Sequence, residues 1–188
     1  MTRNTTTDKT RDTTHVIRVH KYGGPDVLKW EEADIGEPGP GEIRIKQTAI
    51  GLNFIDAYMR SGLYPQDEFP FIPGTEGAGV VTALGEGVRT LKVGRRVAYA
   101  GQLGAYAEER LIPADRVVRI PDSVSDETAA AVILKGMTAQ YLLREIYKVG
   151  PKTTLLFHAA AGGVGTIACQ WAASLGATVI GTVGSAGK

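Results

Sequence analysis

The chain has 188 residues, 21 Lys+Arg against 20 Asp+Glu, a net charge of +1, 43% hydrophobic residues and 22% charged ones. That balance is ordinary for a soluble globular protein and excludes the charge excess of a nucleic-acid or membrane-surface binder. No apolar run approaches the roughly 18 residues of a membrane helix, and the single Cys169 excludes an internal disulfide framework and a multi-cysteine zinc site.

Residues 1–14 carry seven threonines, mixed charge and no apolar stretch. They read as a disordered tail on a cytoplasmic protein, neither a signal peptide nor an Arg-rich transit helix. From His15 to about Ile120 the pattern is one of short strands broken by Gly and Pro. Strands are predicted at Val16–Val19, Ile43–Lys46, Ala78–Thr82 and Arg96–Tyr99, with turns at Gly23–Asp26 and Glu37–Gly41. A β-rich domain follows from that spacing. Asn53–Arg60 interrupts it as a short helix stopped by Ser61-Gly62. A loop with Tyr64, Pro65, Phe69, Pro70 and Phe71 comes next, and such loops either line sites or simply pack.

After Pro121 the character changes. Ser125 is an N-cap, Asp126 and Glu127 suit a first helical turn, and apolar residues recur at helical spacing to about Ile146. Lys148–Pro151 breaks the pattern. Thr153–Ala159 is then an apolar run of the kind buried in parallel sheets. Ala160-Ala161-Gly162-Gly163-Val164-Gly165 follows, then a helical stretch from Thr166 to Leu175, Gly176 at a C′ position, and a second strand at Thr178–Thr182. Strand, glycine turn, helix and strand within about 30 residues have the span of a dinucleotide-binding βαβ unit, the alternative being a βαβ unit with no ligand. Ala160 replaces the first glycine of G-x-G-x-x-G, so Gly162 and Gly165 carry the match. Glycine there lets backbone approach a pyrophosphate seated at the helix N-terminus.

The end of the second strand selects the nucleotide. An NAD site places an acid there for the ribose 2′-OH, whereas this chain has Val183-Gly184-Ser185-Ala186-Gly187-Lys188. No acid repels a 2′-phosphate, Ser185 can donate to one and Lys188 can supply charge. NADPH is therefore expected over NADH, the alternative for Lys188 being a solvated surface lysine.

With these residues in place, the chain resembles the zinc-free quinone oxidoreductase (zeta-crystallin-like) branch of the medium-chain dehydrogenase/reductase superfamily, from about Val16 to Lys188. The resemblance is carried by Gly23-Gly24-Pro25, Gly51-Leu52-Asn53-Phe54-Ile55-Asp56, Arg60-Ser61-Gly62-Leu63-Tyr64-Pro65, Pro73-Gly74-Thr75-Glu76, Lys135-Gly136-Met137-Thr138-Ala139 and His158 to Gly165. It implies an α/β protein: a GroES-like β-rich catalytic domain over 15–130, then the first part of a Rossmann dinucleotide-binding domain over 131–188, truncated. Zinc-dependent relatives carry a Cys in the segment aligned with Asn53 and Gly-His-Glu in place of Gly74-Thr75-Glu76. Without those ligands no metal is expected.

The resemblance further implies metal-free hydride transfer from NADPH to a quinone, an acceptor that delocalises the incoming charge into its own ring. Asn53, Phe54, Asp56 and Tyr58 are placed near the nicotinamide, with Tyr64 on the substrate side. Tyr141, Gly162, Gly163, Val164 and Gly165 are placed on the cofactor, and Gly184, Ser185 and Lys188 at its 2′-phosphate. Tyr58 or Tyr64 is expected to orient or protonate the acceptor and Asn53 to assist, with packing aromatics and local helix capping (Asn53, Asp56) as the alternatives. Cys169 reads as a buried core thiol and His158 as a structural residue. Two alternatives to quinone reduction are reduction of an activated alkene in an enone and nucleotide binding without catalysis. A whole enzyme of this kind needs on the order of 300 residues. The chain accordingly reads as an N-terminal portion that turns over poorly alone, and a homodimer is expected only of the full-length family form.

Overall fold

The computed structural model describes residues 12–185 and residue 187, so most of the expected tail, and Lys188 with it, lie outside the described residues. The chain forms two compact units that divide between Ala130 and Ala131. In the first, β1 (Thr13–Val19) pairs antiparallel with β2 (Leu28–Asp34), and five further strands form a second antiparallel sheet. These are β3 (Glu42–Gly51), β4 (Glu76–Leu84), β5 (Arg96–Ala100), β6 (Glu109–Pro113) and β7 (Val118–Arg119), in the order β6-β3-β4-β5-β7. Strand β1 takes in Thr13 and Thr14, two residues assigned to the tail. Thr14 is buried, and its hydroxyl accepts from the Glu109 N–H at 3.0 Å.

Alternation in β3 and β5 sends Ile43, Ile45, Val97 and Tyr99 inward, where they meet Val81 and Ile112 at 1% exposure or less. Strand β3 runs five residues beyond the predicted Ile43–Lys46, because Gln47 turns inward and finds acceptors. Its Nε2 donates to the Ala105 and Ala107 carbonyls at 2.7 and 2.6 Å, and Tyr99 donates its hydroxyl to Gln47 Oε1. Strand β2 has no place in the sequence reading, since only Ala33 of its seven residues is buried and its pattern is that of an edge. The predicted helix forms as α1 (Phe54–Ser61), with Asn53 outside it as N-cap.

Helix α2 (Asp126–Tyr141) starts as expected, with Thr128 N–H donating to Ser125 Oγ at 3.1 Å. Within the first unit, Asp126 accepts from Thr48 Oγ1 at 2.6 Å and from Arg96 Nε at 2.8 Å. Burial opposes charge on Asp126, but these two donors outweigh it and hold the carboxyl below the usual carboxylate range. Past Tyr141 the helix widens into a π-turn, Leu142–Ile146.

The second unit continues with β8 (Thr154–Phe157), α3 (Gly163–Ser174) and β9 (Thr178–Gly181), the two strands being parallel and in register from Thr154↔Thr178 to Phe157↔Gly181. Leu155, Phe157 and Val179 pack against α3 around Ala168 and Ala172. Two expectations change here. Strand β8 is not buried on both faces, because the sheet has two strands and α3 covers one side; Leu156 and Ile180 remain 58% and 53% exposed on the other. Cys169 is partly rather than fully buried. His158 is exposed and bonds to Thr182 Oγ1 at 3.0 Å, consistent with a structural role.

Candidate functional site

In the first unit, the expected residues gather at the start of α1. Asn53 has extended backbone (φ −131°, ψ 157°) and leaves its own N–H at the helix entrance. Asp56, three residues on, accepts that N–H at 2.9 Å, the return half of a capping box. Capping therefore does account for Asp56, yet the same carboxylate also takes a long-range bond, from the Tyr106 hydroxyl at 3.0 Å. Burial, and then the adjacent Asp56 charge, pushes Tyr106 far above the ordinary phenol range, so it is a donor at any physiological pH. The Asn53 side chain faces the Asp56 N–H as the other half of that box and also reaches further. Its Nδ2 donates to Glu76 Oε1 at 2.7 Å, and Glu76 is fully buried.

Glu76 and Tyr106 are the members of this cluster given no site role in the sequence reading, where Glu76 enters only within the Pro73–Glu76 motif. They lie 23 and 50 residues from their partners, and no local spacing rule spans such gaps. The one available signal was an acid inside the otherwise small and apolar run Pro73–Ala78.

Beside the cluster, Phe54, Tyr58 and Tyr64 form an exposed aromatic shelf. The Tyr58 and Tyr64 rings meet edge to face with centroids 5.4 Å apart, and Phe54 lies 6.3 Å from Tyr58. Phe54 is 81% exposed, too open for a core role. Neither tyrosine hydroxyl has a hydrogen-bond partner among the described residues, so both are available to a bound molecule. A packing aromatic normally satisfies its hydroxyl.

The second unit holds the glycine turn. The helix starts at Gly163 rather than Thr166, so Gly163, Val164 and Gly165 are its first turn and Gly162 is the extended N-cap. The N–H groups of that turn have no intrahelical acceptors. Gly162 and Gly163 are exposed, and no side chain of their own shields those donors. Gly165 does a different job. It is buried, and a Cβ there would fall 2.4 Å from the Ala159 carbonyl oxygen and 2.6 Å from that of Ala160. It lets the turn close onto the helix, while Val164 packs into the core. Ala159 holds a left-handed φ of 55° to make the bend. Gly184 and Ser185 follow β9 and are exposed, as is Tyr141 at the end of α2.

Residues 39–122 match the alcohol dehydrogenase GroES-like domain. The chain is 54% identical over 173 residues to a quinone oxidoreductase of Pseudomonas aeruginosa, covering 92% of this chain and 53% of that protein. It is 49% identical to a 2-haloacrylate reductase of Burkholderia, covering 90% and 53%. Among solved structures, the Escherichia coli quinone oxidoreductase complexed with NADPH superposes with a TM-score of 0.89 at 52% identity, covering 92% of this chain and 53% of that one. Over nine-tenths of its length the chain is thus similar to quinone oxidoreductases, and residues 39–122 carry the GroES-like domain. It spans about half the length of the relatives it matches.

This likeness matches the α/β architecture, with the GroES-like strands as the antiparallel sheet around Ile45 and a parallel βαβ unit later in the chain. The turn fits a nicotinamide dinucleotide: its donors are open, its axis offers a helix N-terminus to a pyrophosphate, and no acid stands at Gly184 or Ser185. Among the described residues, no three His, Cys, Asp or Glu side chains group as a cation site. No helix of the described residues is long and apolar enough to cross a membrane.

Proposed function

We propose that this chain carries the nucleotide turn and the acceptor-side residues of an NADPH-dependent quinone reductase. The observation that carries the reading is the open first turn of α3, set between two parallel strands by a glycine whose Cβ has no space. The solved Escherichia coli relative complexed with NADPH supports the choice of nucleotide. When bound, NADPH supplies a hydride from nicotinamide C4 to the quinone, which takes up one proton as well and leaves as its reduced form.

The chain's own residues supply position and polarity. Backbone N–H groups of Gly163 and Val164 hold the pyrophosphate, and Ser185, together with Lys188, receives the 2′-phosphate. Asn53 contacts the nicotinamide half. The Phe54–Tyr58–Tyr64 shelf gives a planar acceptor an aromatic surface, and a free tyrosine hydroxyl orients or protonates the reduced oxygen. Holding reacting atoms about 3–3.5 Å apart is the main contribution asked of the protein, since the quinone is already electrophilic.

A second reading, reduction of an activated alkene, is favoured by the likeness to the Burkholderia 2-haloacrylate reductase. It places the proton on carbon rather than oxygen. Following NADPH oxidation at 340 nm with a quinone and with an enone, in parallel, tests both. Faster turnover with the quinone, and a preference for NADPH over NADH that Ser185→Asp reverses, is expected. Faster enone turnover selects the second reading, and NADPH binding with neither acceptor consumed points to a binding protein.

A further inference from the structure

Glu76 is fully buried, an expensive place for a carboxyl group. An apolar side chain of the same volume would fill the space without that cost, so filling space does not explain an acid. Its setting is specific. Glu76 is the first residue of β4 and pairs with Gly51 on β3. A Cβ built on Gly51 would fall 2.3 Å from Glu76 Oε1 and 2.4 Å from its Cγ, so the side chain lies directly across bare backbone. Held there, Oε1 accepts from Asn53 Nδ2 at 2.7 Å. Asp56 meanwhile takes the backbone N–H of the same residue at 2.9 Å, and Tyr106 fixes Asp56 at 3.0 Å. Two carboxyl groups thus grip one asparagine, one by its main chain and one by its amide.

The grip on the amide carries chemical information. An asparagine side chain is nearly symmetric in shape, with a donor at one end and an acceptor at the other. The Glu76 oxygen receiving Nδ2 selects the orientation that turns Nδ2 toward Glu76 and Oδ1 toward the Asp56 N–H of the capping box. We propose that Glu76 is a positioning residue. By fixing the Asn53 amide, it makes Asn53 a hydrogen-bond acceptor, through the second lone pair of Oδ1, for a donor on the nicotinamide half of the nucleotide, a ribose hydroxyl or the carboxamide N–H2. The inference rests on the reading of Asn53 as a cofactor contact and adds what sets its polarity.

Glu76→Gln keeps the shape but brings an N–H2 of its own, so position 76 no longer selects which end of the Asn53 amide faces it. The test is a double-mutant cycle of E76Q and Asn53→Ala, read as the NADPH dissociation constant from nucleotide fluorescence, with unfolding midpoints measured alongside. The Asn53 side-chain amide signals are followed by ¹⁵N NMR in nucleotide-free protein. The expected result is about tenfold weaker NADPH binding in E76Q, displaced Asn53 amide signals, and no further loss when E76Q is added to N53A.

An equal loss from E76Q in the N53A background overturns the proposal, because Glu76 would then act on binding by another route. So does wild-type affinity in E76Q while N53A binds weakly, and in that case the cofactor reading of Asn53 survives. Wild-type affinity in N53A removes the cofactor reading itself and the proposal with it. If E76Q does not fold, Glu76→Asp, which keeps the acceptor but withdraws it by one methylene, carries the same cycle.

Discussion

The two units differ in how completely they enclose their strands. In the first, β3, β4 and β5 bury Ile43, Ile45, Val81 and Val97 to 1% exposure or less. In the second, β8 and β9 have one face on α3 and leave Leu156 and Ile180 more than half exposed on the other. Legibility runs the opposite way. The thinly covered unit announces its chemistry through a local run of glycines, and the well-enclosed one hides much of its chemistry in contacts between distant strands. Local motifs report what the backbone must do nearby, whereas a buried polar cluster reports the topology.

The contrast can be tested by substitution, with Trp30 in the first unit and Trp171 in the second as fluorescent reporters, the chain's two tryptophans. Ile45→Ala removes a fully enclosed side chain and is expected to cost about 4 kcal/mol in urea unfolding followed at Trp30. A loss below about 1 kcal/mol would mean that this core is not close-packed. Gly165→Val drives a side chain into the Ala159 and Ala160 carbonyls and is expected to cost about 3 kcal/mol at Trp171, abolishing NADPH binding as the turn opens.

Asp126→Asn tests the polar fastening of the first unit. The folded pKa of Asp126 lies below its unfolded value. The stabilisation is therefore present above the unfolded value of about 3.9 and is lost as pH falls through the folded one. D126N is expected to cost about 2 kcal/mol at pH 7, and the unfolding curves of variant and parent should converge at low pH. A gap that persists unchanged in acid would assign the loss to something other than the charge. The smallest effect is expected for Leu156→Ser on the open sheet face, under about 0.5 kcal/mol. A cost matching that of Ile45→Ala would erase the difference between the two strands.

Most regular elements could be read from the chain. Alternation located β1, β3, β4 and β5, and the Ser125-Asp126-Glu127 sequence located the start of α2. The misses have physical causes. Strand β2 buries only Ala33, so Leu-Lys-Trp-Glu-Glu-Ala-Asp shows no clean apolar face. Strand β7 has two residues, too few for any period. Apolar content in β8 suggested cover on both sides, but composition records what a strand can tolerate and not how many neighbours it has. In the candidate site, Asn53, Asp56 and the tyrosines were legible through short motifs and family likeness. The roles of Glu76 and Tyr106 were not, because pairing of β4 with β3 and the placement of loop residues 105–107 bring them to Asn53 and Asp56.

Asp56 serves two structures at once. It closes the entrance of α1 through the Asn53 N–H and anchors that entrance to Tyr106. Helix ends ordinarily fray alone, exchanging their first amides at low free energy. Here an opening of the first turn of α1 also severs a tertiary bond to a half-buried phenol. The local unfolding unit accordingly extends across the segment 105–107, whose carbonyls hold Gln47. Amide hydrogens at the start of α1 are thereby expected to exchange with the slow set of the sheet, later than an isolated eight-residue helix would allow.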